Sequence, residues 1–164
     1  MRFVGTCYRA HDPRWAFKPS SGDGAAIRGA RFNPEGVPAL YLALTVMTAV
    51  KEANQSFAHR IDPCVLCSYE VDCEDITGLT SEQGRGESSV TLTDMASAWA
   101  TALGNGERPE SWSIYDRLQP QGIAGILVSS FAPGAETEDR NLVLWDWGPD
   151  LRTHPVSTAA PMSR

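Results

Sequence analysis

Five short apolar runs, parted by glycine- and proline-rich stretches, constrain this chain more than any other feature: FVGTCYRAH, ALYLAL, PCVLCSYEVDC, GIAGILVSSF and NLVLWDW. Apolar runs of this length, bounded by turn residues, read as strands. In the third, Val65, Cys67, Tyr69 and Val71 recur with a period of two and share one strand face. The first predicts a strand from Phe3 to Arg9. Strands outnumber helices, so the expected class is α+β (mixed α/β), with a twisted sheet at its centre. At 164 residues the chain is long enough for one continuous core. The expected division is a domain over 1–152 and a polar tail over 153–164, THPVSTAAPMSR without its own apolar pattern.

Helical spacing begins at Thr45, a candidate N-cap. Val46, Ala49, Val50, Ala53 and Phe57 form one apolar stripe. Glu52 lies beside that stripe, on the side of Thr45, Thr48 and Ser56, where a helix leaves the core and can border a cleft. VTLTDMASAWATAL predicts a second helix with Leu92, Met95, Ala96, Trp99 and Leu103 inward, capped by Thr91 or Thr93. A short helix is expected over Ser113 to Leu118. DPRWAFKPSSGDGAAIRG, EDITGLTSEQGRGESS and APGAETEDR read as loops.

Charge narrows the partners. Fourteen basic against 20 acidic residues give a net charge of −6, which disfavours a broad nucleic-acid surface. Only Lys18 and Lys51 are lysines; the remaining basic residues are arginines, suited to bidentate phosphate contacts. No signal-like opening and no membrane-length apolar run occur, so the expected location is the cytoplasm, with the cysteines reduced. Cys64 and Cys67 form a C-x-x-C, but an offset of three along a strand points them to opposite faces, as core cysteines rather than a zinc pair. His11, His59 and His154 lack metal spacing, and no metal is expected. Trp145 and Trp147 read as strand packing. No G-x-G-x-x-G is present, so a Rossmann dinucleotide site has no support.

The stretch GARFNPEGVPALYLALTVMTAVKEANQ sets Arg31 between small residues ahead of a strand and Glu52 alone on the helix after it. With CYRAHDPRWAF before it and GILVSSFAPGAETEDRNLVLWDW after it, this stretch resembles the RES domain in order and over most of the chain. Arg31 matches the family arginine, Glu52 the glutamate and Ser130 the serine, while Tyr8, Arg9 and Tyr41 match a Tyr-Arg pair and a strand tyrosine. Ser129 stands where many relatives carry proline, so the choice between Ser129 and Ser130 stays open.

The resemblance implies a bacterial toxin that consumes NAD on a fold similar to ADP-ribosyltransferases, held by an antitoxin with a helix-turn-helix domain. Water, phosphate or a protein would accept the ADP-ribose; transfer to one cellular protein, or an inert interaction module, are the rival readings. The residue types fit NAD as substrate. Arg9 and Arg31 suit its two phosphates. Glu52 suits the positive charge that develops on ribose as the nicotinamide leaves. Ser130 can orient ribose or nicotinamide, and Tyr8 and Tyr41 offer aromatic faces.

Overall fold

The computed structural model describes residues 1–54, 63–148 and, as backbone, 152–155. Its strands are β1 (Phe3–His11), β2 (Leu40–Ala43), β3 (Val65–Cys73), β4 (Ile76–Gly78), β5 (Gly125–Ser129), β6 (Arg140–Leu144) and β7 (Arg152–Pro155). They form one mixed sheet in the order β4-β5-β6-β2-β1-β3-β7. Among the described strands only β4 and β5 pair in parallel. The helices are α1 (Asp23–Ala26), α2 (Val46–Ala53), α3 (Glu82–Glu87), α4 (Leu92–Ala96), α5 (Trp99–Gly104) and α6 (Trp112–Leu118). This is the expected α+β class. No described helix is long and apolar enough to cross a membrane.

The continuous apolar runs of β5 and β6 have a cause: both faces of these strands are buried. Ile126, Val128 and Val143 join Leu79, Met95, Ile114 and Leu118 beneath the helices. Leu127, Leu142 and Leu144 point the other way and meet Cys7, Tyr69 and Val71 from β1 and β3. Two ends of one sheet can share a core only if the sheet curls its faces together. The N-terminus closes that curl, with Ile76 N–H donating to the Met1 carbonyl at 2.9 Å. Each buried Leu or Ile contributes about 1.5–3 kcal/mol relative to exposure. Gly125 leaves no room for a side chain, since a Cβ there would strike the Val143 carbonyl oxygen of the paired strand β6.

The sheet is two half-sheets. β1 pairs with β3 along its whole length, and β2 pairs with β6 along its whole length. Between β1 and β2 the ladder has a single position, Tyr8 opposite Ala43. On either side of that position the ladder between the two strands stops.

Several expectations change. Residues 74–89 hold β4 and α3, where a loop was expected; two short elements with Gly78, Gly84 and Gly86 carry too little periodicity to be seen. The single helix expected across residues 90–103 is two, because Ser97 is extended and Ala98 non-helical. Thr91 is its cap, in a capping box with Asp94. Pro13–Trp15 and α1 are helical turns inside the expected loop after β1, which itself runs to His11. Within the expected tail, Thr153–Pro155 pair with β3 as part of β7, while 156–164 lie outside the described residues. So do Ser56, Phe57 and His59. Cys67 is buried as expected, but Cys64 precedes β3 and is exposed, so it is not the core cysteine expected.

His11 ends β1 in a buried chain of polar groups. The Tyr69 hydroxyl donates to the Pro19 carbonyl at 2.5 Å, so it must accept from His11 Nε2, 2.6 Å away. Burial, reinforced by Arg9, holds His11 down at about 4, against 6.5 in an unfolded chain. Between those values the unfolded chain binds a proton that the folded chain refuses. Stability from this site is therefore complete above about pH 6.5 and lost as pH falls toward 4. We expect the urea midpoint of the wild type to fall over this window more steeply than that of His11→Gln. Parallel pH profiles for the two proteins would contradict the assignment.

Candidate active site

The GARFNP turn is held by side chains at successive backbone groups. Gly29 takes a positive φ of 78°, and a Cβ there would strike the Trp112 ring at 2.6 Å. Trp112 Nε1 donates to the Ala30 carbonyl at 2.6 Å, the Ser111 hydroxyl to that of Arg31, and Trp145 Nε1 to that of Phe32 at 2.9 Å. Asn33, fully buried, donates to the Ala25 and Val37 carbonyls at 2.9 and 2.8 Å. Tyr41 completes the frame from β2: its hydroxyl donates to Asn33 Oδ1 at 2.7 Å and accepts from Phe32 N–H at 3.0 Å. Burial pushes that hydroxyl well above its ordinary pKa. Such a turn cannot shift without unpairing several polar groups at once, so Arg31 projects from a rigid base.

Helix α2 brings Glu52. Thr45 caps it, accepting from Thr48 N–H at 3.1 Å. One turn on, Thr48 Oγ1 donates to buried Asp139 at 2.5 Å, and Lys51 Nζ donates to the same carboxylate at 2.7 Å. The backbone N–H of Glu136, then Lys51 and Thr48, hold Asp139 down at about 2. The Asp139 carbonyl accepts from Ser130 N–H at 2.8 Å. The expected loop APGAETEDR thus ends in a buried acid that fastens α2 to β5 and β6. Four residues after Thr48, on the same helix face, Glu52 Oε1 accepts from Ser130 Oγ at 2.5 Å and from the Asn141 side-chain amide.

These elements meet around a cleft of about 330 Å³, lined from β1 and β2 where the ladder between them stops. Tyr8, Arg9, Arg31, Tyr41 and Glu52 all line it. Ser130 stands behind Glu52 rather than in the wall, its hydroxyl donating to Glu52 and accepting from Ala132 N–H at 3.1 Å. Ser129 is the last residue of β5, opposite Arg140. Tyr8 packs with Ala43, Ala49 and Leu66.

The arginines carry the electrostatics. Arg31 Nη1 donates to the Met95 and Ser97 carbonyls at 3.0 and 2.9 Å, and its guanidinium lies 4.5 Å over the Phe131 ring. Among the described residues Arg9 donates only to the Ser21 carbonyl, at 3.5 Å. Burial lowers the pKa of both, and among the described residues neither pairs with a carboxylate. A desolvated guanidinium held only by carbonyls gains strongly from an anion. No group of three or more metal-ligating side chains occurs among the described residues.

Sequence reasoning missed Asn141, Trp99 and Phe131, which also line the cleft. Asn141 was within reach: it shares the period-two face of Val143, another lining residue. A carboxylate can only accept, so the Asn141 amide turns its N–H to Glu52, leaving Oδ1 buried without a partner.

The RES domain family matches the sequence over residues 6–163. No curated protein matches it. The fold is similar to a chain in the crystal structure of the M. tuberculosis MbcT-MbcA toxin-antitoxin complex, with a TM-score of 0.63 at 20% identity, over 95% of this chain and 86% of that one.

Proposed function

The chain belongs to the RES domain family, and from that premise we propose that it is the toxin of a toxin–antitoxin pair and acts by cleaving the nicotinamide–ribose bond of NAD. One observation carries the reading: Glu52, fixed by Ser130 and Asn141, shares a cleft with two partly buried arginines that have no carboxylate partner among the described residues. Arg9 and Arg31 take the pyrophosphate. The bond between ribose C1′ and the ring nitrogen breaks, its electron pair leaving with neutral nicotinamide. Glu52 stabilises the positive charge on C1′. An acceptor oxygen from water, phosphate or a protein then bonds to C1′ and gives up its proton. Tyr8 and Tyr41 shape the walls of the cleft. The fold shared with a toxin–antitoxin complex supports an antitoxin partner, which we expect to carry the DNA-binding helix-turn-helix.

Incubation of the purified protein with NAD is expected to release nicotinamide. Adenylate-labelled NAD then identifies the acceptor: free ADP-ribose for water, its phosphorylated form for phosphate, label on a macromolecule for protein transfer. Absence of nicotinamide release with all three acceptors would overturn the proposal. The same assay separates the serines. Hydrogen bonds to charged groups contribute about 1.5–3 kcal/mol, so Ser130→Ala is expected to lose about 10- to 150-fold in rate. Ser129→Ala, without a side-chain bond to Glu52, should stay within about threefold. Equal losses would remove Ser130 from its place behind Glu52.

A further inference from the structure

The sequence pattern assigns Trp99 to the inward stripe of a helix. It is instead the first residue of α5, partly buried, with its side chain in the cleft wall. Buried indole N–H groups normally find acceptors. Trp112, Trp145 and Trp147 do so, on the carbonyls of Ala30, Phe32 and Ser20. Trp112 also carries Arg108 over its ring, and Trp145 takes Tyr115 edge-on. Trp99 makes no side-chain hydrogen bond, ring contact or cation–π contact among the described residues.

Its backbone, by contrast, is fixed. Arg31 Nη1 grips the Met95 and Ser97 carbonyls at the break between α4 and α5, and Trp99 N–H donates to the Ser97 carbonyl at 2.8 Å. Of the other aromatic groups lining the cleft, Tyr41 is bonded to Asn33 and Phe32, Phe131 lies under Arg31 and against Phe32, and Tyr8 packs against Ala43, Ala49 and Leu66. An uncommitted indole, held in place by an arginine of the same cleft, is a platform for a planar ring.

We propose that Trp99 stacks on the nicotinamide ring of NAD, an inference that rests on the function proposed above. Of the two bases in NAD, nicotinamide carries the positive charge, and a cation gains most over an indole face. That charge disappears as the C1′–N bond breaks. The stacking therefore favours bound substrate over the transition state, and its loss should raise KM while leaving kcat unchanged or slightly higher.

Trp99→Ala is expected to raise KM for NAD about tenfold, and Trp99→Phe about threefold, with kcat retained in both. Nicotinamide mononucleotide should quench the fluorescence of the wild type and not that of Trp99→Phe; ADP-ribose should quench neither to a comparable degree. A fall in kcat at constant KM would make Trp99 structural and overturn the proposal. Quenching that survives in Trp99→Phe would overturn it as well. Quenching of the wild type by ADP-ribose alone would give the indole to adenine and reject the nicotinamide assignment. Nicotinamide release by a wild type whose Trp99 variants keep its KM removes the stacking role alone. A wild type that neither releases nicotinamide nor responds to the mononucleotide removes both readings.

Discussion

Glu52→Gln is expected to lower single-turnover nicotinamide release by about 100- to 1,000-fold, the usual loss when a group aimed at developing charge is removed. The substitution is chosen for what it keeps. Glutamine retains an acceptor oxygen for the Ser130 hydroxyl and the Asn141 amide, which both meet Oε1. Size and helix position are unchanged, so the bonds from Ser130 and Asn141 stay paired. What disappears is the negative charge proposed to face the ribose. NAD affinity should therefore survive, and the loss should appear in the chemical step. Unchanged single-turnover release by this variant would take Glu52 out of the mechanism.

Arg31→Ala is expected to cost at least as much in kcat/KM, for a compound reason. Loss of charge-assisted contacts to phosphate alone costs on the order of 2–3 kcal/mol, or about 30- to 150-fold. The same side chain also holds the Met95 and Ser97 carbonyls and so the wall that carries Trp99. Arg31→Lys should restore little. A compact ammonium can meet those carbonyls, but it cannot also present the planar fork that grips a phosphate. Measured kcat/KM should therefore rank wild type far above both variants, with far-ultraviolet circular dichroism unchanged. A lysine variant within about threefold of wild type would refute the dual role.

Local chemistry was legible in the sequence where one strong signal set it. The period of two gave the inward face of β3, and the Thr45 cap gave the start of α2. Arg31, Glu52, Tyr8, Arg9 and Tyr41 were read from motifs, and the fold brings all of them to one cleft. The failures share a cause. The helical spacing of residues 92–103 continues through Ser97 and Ala98, yet the chain breaks there because Arg31, more than sixty positions away, takes the carbonyls at the break. Asp139 looked like one acid among several in an exposed turn; only the tertiary fold brings Thr48 and Lys51 to it. The face of Asn141 was within reach, but its pairing was hidden for the same reason: its partner Glu52 lies on a helix far away in sequence. Interactions between distant segments leave no periodic trace.

The lone rung between Tyr8 and Ala43 makes the cleft a fault line in a sheet and not a hollow in a core. It opens where the ladder between two stiff plates ends, and Ala10, Ala30, Ala43, Ala49 and Ala53 keep its walls thin. A repacking deep in either plate that turns it by a few degrees acts like a lever, changing the gap most at its far end. Core sequences can then drift widely while the opening persists, and their drift becomes a source of variation in how far the jaws reach. Evolution can retune the bite of such a protein without touching a residue that meets the substrate.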